Sequence, residues 1–260
     1  MDRRGGQLMI ARAHLVTSLA AAYLFAAPPL VMAQAAAKPT RFTIAVSGGV
    51  QQAAEEVSDH FSFPKNVETE TVDVTYPMKP WALIDLAAGY RVWKNVGVGV
   101  AVSVTSGKGD AEVTASVPHP FFFNQPRTVT GTESDIAHSE TGVHLQMQYM
   151  IPATGRLHFT LEGGPSWLNI EHEVVTDVTV TESYPYDTAA FGGAVTKSTK
   201  ASAAGFNAGI DVTWLFAESV GIGGIVRYTR ADVDLAAVEG RSITMKAGGL
   251  QGGVGIRVLF

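Results

Sequence analysis

The chain has 260 residues, 46% of them hydrophobic and only 17% charged, with a net charge of −5, 27 glycines and no cysteine. That is too apolar for a disordered chain. The missing thiol excludes disulfides, thiolate metal sites, a cysteine nucleophile and a lipidated N-terminal cysteine.

Arg3, Arg4 and Arg12 form a basic segment, and residues 15–32 form an apolar run. Val31-Met32-Ala33 or Ala33-Gln34-Ala35 then supplies a small-residue cleavage pattern. Pro28-Pro29 breaks the helix that a retained anchor would need. The expectation is an export signal over 1–33, cut between Ala33 and Ala35, and one mature domain over 34–260. Removing that signal leaves 16 Lys and Arg against 23 Asp and Glu, a net charge of −7. The acidic balance argues against nucleic acid as a partner. Past the signal, no apolar run is long enough to cross a bilayer as a helix.

The rest of the chain alternates apolar and polar residues, with little helical periodicity. Eight segments stand out in order: 41–50, 81–93, 96–106, 142–151, 156–169, 204–216, 220–230 and 246–260. In the third, every second residue from Val96 to Val104 is valine. Most segments approach the roughly 9–11 residues that a tilted strand needs to cross a bilayer, against about five or six in a soluble sheet. Short connections at Lys94-Asn95, Pro152–Gly155 and Ala217–Ser219 alternate with long ones at 51–80, 107–141, 170–203 and 231–245. Loop lengths sorted by side, with both ends on the short-turn side, are the plan of a membrane barrel. The expected fold is all-β: an eight-stranded antiparallel up-and-down transmembrane β-barrel with short periplasmic turns and long extracellular loops.

The two faces agree with that plan. The sixth segment sets Phe206, Ala208, Ile210, Val212, Trp214 and Phe216 against Asn207, Gly209, Asp211 and Thr213. The fourth sets Val143, Leu145, Met147, Tyr149 and Ile151 against His144, Gln146 and Gln148. The apolar set should face lipid and the polar set a narrow lumen, with closure leaving no backbone edge in hydrocarbon. Near the short turns, Phe42, Tyr90, Tyr149, Trp214, Phe216 and Phe260 form an expected interfacial girdle.

The last segment carries Val254, Ile256, Val258 and Phe260 at alternate positions. This ending resembles the C-terminal assembly signal of Gram-negative outer-membrane proteins. The mature chain as a whole resembles the small eight-stranded group that includes the OmpA, OmpX and OmpW types. The resemblance is architectural, resting on strand count, loop asymmetry and the terminal Phe, and no motif selects one member. It implies a place in the outer membrane, with outer-membrane lipid, the barrel-assembly machinery and periplasmic chaperones as partners.

Three carboxylates and three arginines fall on the inward face: Asp85, Glu162 and Asp211 with Arg91, Arg227 and Arg257. Counted from the short turns, Glu162 lies level with Arg227, Asp211 diagonally across from Arg227, and His144 about opposite Glu162. Eight strands leave a lumen that side chains fill, where buried charges must be paired. The network therefore reads as an ion-pair plug or, alternatively, as a proton or ion path.

Some barrels of this size modify lipid A, which takes a nucleophile and a base near the outer leaflet. His138-Ser139-Glu140 is the compact candidate, but adjacent strand residues point to opposite faces. His144, Glu162 and Ser166 share the lumen without an evident substrate entry. No metal-ligand spacing or phosphate-cradling glycine loop is present, and no cofactor is expected.

The long loops are the remaining place for function. Alternation continues into 112–117 and 173–181, so hairpins are expected to project above the membrane. One tip reads VPHPFFFNQP, residues 117–126, with His119 beside Phe121, Phe122 and Phe123; YPYD at 184–187 is a second aromatic tip. Exposed phenylalanines invite a surface partner, or else pack over the mouth as a lid. The expected role is non-enzymatic, either surface interaction or envelope structure. A narrow conduit for small hydrophobic molecules is the alternative, and a lipid A-modifying enzyme comes third.

Overall fold

The alternating segments become ten β-strands: β1 (Phe42–Ala53), β2 (Val57–Lys65), β3 (Glu68–Tyr76), β4 (Trp81–Trp93), β5 (Val96–Val117), β6 (Arg127–Ile151), β7 (Leu157–Glu182), β8 (Ala189–Leu215), β9 (Val220–Ala236) and β10 (Ser242–Leu259). The structure is a computed structural model that describes residues 41–260 except positions 54, 154, 238 and 239. The expected export signal and cleavage site lie outside the described residues.

Eight of the strands close into an antiparallel ring, β1–β4–β5–β6–β7–β8–β9–β10 and back to β1. The closing ladder runs from Thr43↔Leu259 to Ala53↔Gly249. Beyond it, Arg41 N–H and Phe42 N–H donate to Phe260 O, and Phe260 N–H donates back to Phe42 O at 2.8 Å. Closure satisfies the backbone of the spanning band internally, which hydrocarbon requires.

One feature departs from the sequence reading. Residues 51–80, expected as a loop, hold the β2–β3 hairpin, and β3 pairs with the upper part of β5 over Thr71–Thr75. Strands β5 to β8 extend far beyond their spanning segments, as the alternation at 112–117 and 173–181 had indicated.

Along β5 the side-chain parity is constant while its chemistry is exchanged. Even positions run from valine at 96–104 to Glu112, Thr114 and Ser116. Odd positions run from Gly97, Gly99, Ser103 and Thr105 to the buried Ala111, Val113, Ala115 and Val117. The lower half is therefore apolar outside and polar inside, and the upper half is the reverse. A contiguous buried cluster that includes Val72, Val74, Tyr76, Val174, Leu235 and Ile243 fills the upper half. β6 crosses between the halves at an irregularity opposite Gly109/Ala111, where Asp135 has φ 64°. β10 crosses at Gly248 and Gly249, whose φ values are +87° and +136°; a Cβ on Gly249 would meet Gln52 O at 1.9 Å.

Candidate functional site

The inward charges separate into two groups. Arg227 Nη1 donates to Asp85 Oδ2 at 2.6 Å and Nη2 to Glu162 Oε1 at 3.4 Å. Arg257 donates to Asp211 Oδ2 through Nη2 at 2.6 Å and Nε at 2.9 Å, and to Ser47 Oγ through Nη1 at 2.8 Å. Between them and the mouth, Gln251 and Thr105 both donate to Gln51 Oε1, and Gln51 Nε2 donates to Glu140 Oε2 at 2.7 Å. The two arginines are paired with Asp85, Glu162 and Asp211, and Glu140 is held by hydrogen bonds, the condition under which ions survive without bulk water.

Three expected partnerships differ from the sequence reading. Asp211 belongs to Arg257 and not to Arg227. His144 lies between Ser103 (2.9 Å) and Ser166 (2.8 Å), while Glu162 faces Gln148, two pleat repeats lower. Arg91, expected in the same network, sits near the short turns, where its Nε contacts Met150 Sδ at 3.0 Å. Strand tilt staggers neighbouring strands, so equal counts from the turns are not equal heights.

The ladder between β6 and β7 skips Leu145-Gln146 opposite Gly164-Pro165. Pro165 has no N–H to give. Asn207 fills the gap from within, donating to Gly164 O at 3.0 Å and Ser166 Oγ at 2.9 Å.

His138 and Glu140 both point inward, with His138 Nε2 3.1 Å from Glu140 Oε1; Ser139 lies on the other face and is not aligned for attack. The β6–β7 register adds a residue that sequence spacing did not reveal. His172 Nδ1 is 3.1 Å from His138 Nδ1, and the Trp81 ring stacks on His138 at 4.1 Å. Neutral rings satisfy both contacts when His172 Nδ1–H donates to His138 Nδ1 and His138 Nε2–H donates to Glu140. Burial, together with the neighbouring His138, pushes His172 down to about 3. Burial pushes the Tyr76 hydroxyl, which accepts from Val175 N–H at 2.8 Å, up to about 12. Among the described residues, no group of three or more His, Asp or Glu side chains could hold a metal ion.

At the far end, three hairpin tips converge. His119 is buried and its Nδ1 accepts from Phe121 N–H and Phe122 N–H, both at 3.1 Å. Arg127 donates to Pro118 O and Tyr186 O, each at 2.9 Å, and pairs with Glu182 at 2.5 Å. From the β2–β3 turn, Asn66 Nδ2 donates to Pro118 O at 3.2 Å, and Glu68 accepts from Asn124 N–H at 2.9 Å. On this frame Phe121, Phe122 and Phe123 are 66%, 54% and 68% exposed, beside Tyr184 at 85% and Val67 at 92%. Phe121 meets Tyr186 edge-on at 5.5 Å. The three phenylalanine rings point to solvent and do not pack into the mouth as a lid would.

No family model matches the chain, and no curated protein matches its sequence. Its structure is similar over most of its length to those of small outer-membrane barrels. The outer membrane protein OprG from Pseudomonas aeruginosa is 9% identical with a TM-score of 0.49, the match covering 85% of this chain and 96% of that one. Neisserial surface protein A is 10% identical with a TM-score of 0.41, covering 84% and 97%. The outer membrane protease OmpT from Escherichia coli is 8% identical with a TM-score of 0.45, covering 87% and 99%. The barrel itself is established by the closed hydrogen-bond ring.

Proposed function

We propose that this outer-membrane β-barrel is non-enzymatic and acts at the cell surface through the aromatic apex, its plugged lumen serving as the anchor. The observation that carries this reading is the exposure of Phe121, Phe122 and Phe123 on a tip whose backbone is tied to two other hairpins. Burying each ring against a partner is worth roughly 1.5–3 kcal/mol. In this reading residues 1–33 direct export, and the lipid-facing row Val254, Ile256, Val258 and Phe260 is read by the assembly machinery. Replacing all three phenylalanines with serine should abolish cell-surface binding while heat-modifiability and melting in detergent stay unchanged. If the variant binds like the parent, this role is wrong.

A conduit for small hydrophobic molecules is the second reading, and the interrupted ladder at Pro165 is what favours it. Against it stand the Asn207 side chain in the gap and the filled interior above. Liposome uptake of an apolar solute that rises with the wild-type protein and falls when Pro165→Val restores the ladder would support the conduit. A lipid A enzyme ranks third, to be decided by lipid A mass spectrometry with and without the protein.

A further inference from the structure

The apex has a property that surface exposure alone does not require: several of its backbone groups are already taken. Pro118, Pro120 and Pro126 have no N–H, and those of Phe121, Phe122 and Asn124 are taken by His119 and Glu68. The carbonyl of Pro118 is taken twice, by Arg127 and Asn66. A protein partner commonly reads free backbone groups, as in strand addition. Each N–H already taken lowers the cost of entering a lipid interface, where it would find no protein acceptor. Consecutive phenylalanines on a bend also splay outward as a convex knob, suited to entering a soft interface. Tyr184 and Tyr186 beside them are the residue type that settles at headgroup level.

Charge selects the lipid. The stretches 51–80, 107–141, 170–203 and 231–245 carry 19 Asp and Glu against 7 Lys and Arg. At the apex Lys65 is spent on Glu70 and Arg127 on Glu182, while Asp187 stands exposed. Anionic headgroups would be repelled. A choline headgroup would be accepted, because its quaternary ammonium is attracted both by carboxylates and by aromatic faces. The eleven steps from Ser106 to Val117 along β5 carry the tip roughly 35 Å along the strand at about 3.3 Å per residue. The apex is thus held well away from the protein's own leaflet.

We propose that Phe121, Phe122 and Phe123 insert into the interface of an opposing zwitterionic, phosphatidylcholine-type membrane. This rests on the surface-binding role and names its partner. The test uses the full-length protein in nanodiscs, sedimented with sucrose-loaded vesicles. Wild type should co-sediment with phosphatidylcholine vesicles, and the triple serine variant should lose about tenfold or more. Adding phosphatidylglycerol should weaken binding at low salt, with recovery at high salt. Because the chain lacks cysteine, an environment-sensitive dye on Phe122→Cys should shift to the blue with phosphatidylcholine vesicles, and one on Asp135→Cys should not. Absence of both co-sedimentation and dye shift would overturn the proposal. If the serine variant nevertheless loses cell-surface binding, the partner is a protein and the broader role survives. If cell binding is also unchanged, both fall.

Discussion

The spanning half of the barrel and the extracellular half are built from the same strands with their faces exchanged. Below, valine and aromatic side chains face outward while Asp85, Arg227, Arg257 and Asp211 face one another inside. Above, Val113, Val174 and Leu235 face inward while Glu112 and Lys200 face out. What changes between the halves is the solvent on the outer wall. Lipid demands an apolar exterior and leaves polar groups to satisfy each other within, whereas water restores the ordinary hydrophobic core. Length follows from the same cause. A water-facing sheet with an apolar interior can keep pairing above the membrane, so β7 and β8 run to 26 and 27 residues.

The largest effect should come from breaking the lower core. Arg227→Leu leaves Asp85 and Glu162 without their cation, and truncating one member of a buried ion network costs about 3–5 kcal/mol. Urea unfolding in lipid vesicles would measure it, and a cost near zero would mean that water reaches the pair. In the upper half, Leu235→Ala should cost about 2–5 kcal/mol by leaving a cavity. That loss should appear as faster amide exchange in β9 and β10 above Arg230, with heat-modifiability retained. On the lipid wall, Val100→Arg should cost about 2–4 kcal/mol near the bilayer midplane. An arginine at Thr114, on the same face of β5 above the membrane, should cost little.

A more gradual effect, spread over several pH units, is set by pH. His172 stays neutral in the folded protein down to about 3, whereas its ordinary value is 6.5. The unfolded chain therefore takes up this proton first. Stability should fall as pH drops from about 6.5 toward 3, at up to about 1.4 kcal/mol per pH unit, and be insensitive to this group above that window. His172→Phe should flatten the slope in a pH series of thermal melts. An unchanged slope would show that the His138–His172 contact opens before unfolding.

Most of the spanning architecture was legible because one physical rule, alternation against lipid, is written residue by residue. The β8 faces fall where the sequence indicates, with Asn207 and Thr213 buried and Phe206, Trp214 and Phe216 exposed. The β2–β3 hairpin was masked by its outward His60 and Asp73, which read as loop chemistry, although Val57, Phe61, Val72, Val74 and Tyr76 keep an inward row. The lumen partners were only half legible. Parity identifies which residues face inward, but whether Asp211 meets Arg227 or Arg257 depends on stagger around the ring. His172 carried no signal at all, since its approach to His138 exists only through the β6–β7 register.

The exchange of faces is tested most directly by single-cysteine scanning of β5 in lipid, with a water-soluble maleimide, on a chain that has no cysteine of its own. Even positions 98, 100, 102 and 104 should be protected and even positions 112, 114 and 116 reactive. The odd positions from 97 to 117 should be protected throughout, because both interiors are filled. Reactive odd positions from 111 to 117, or reactive valines between 98 and 104, would contradict the account.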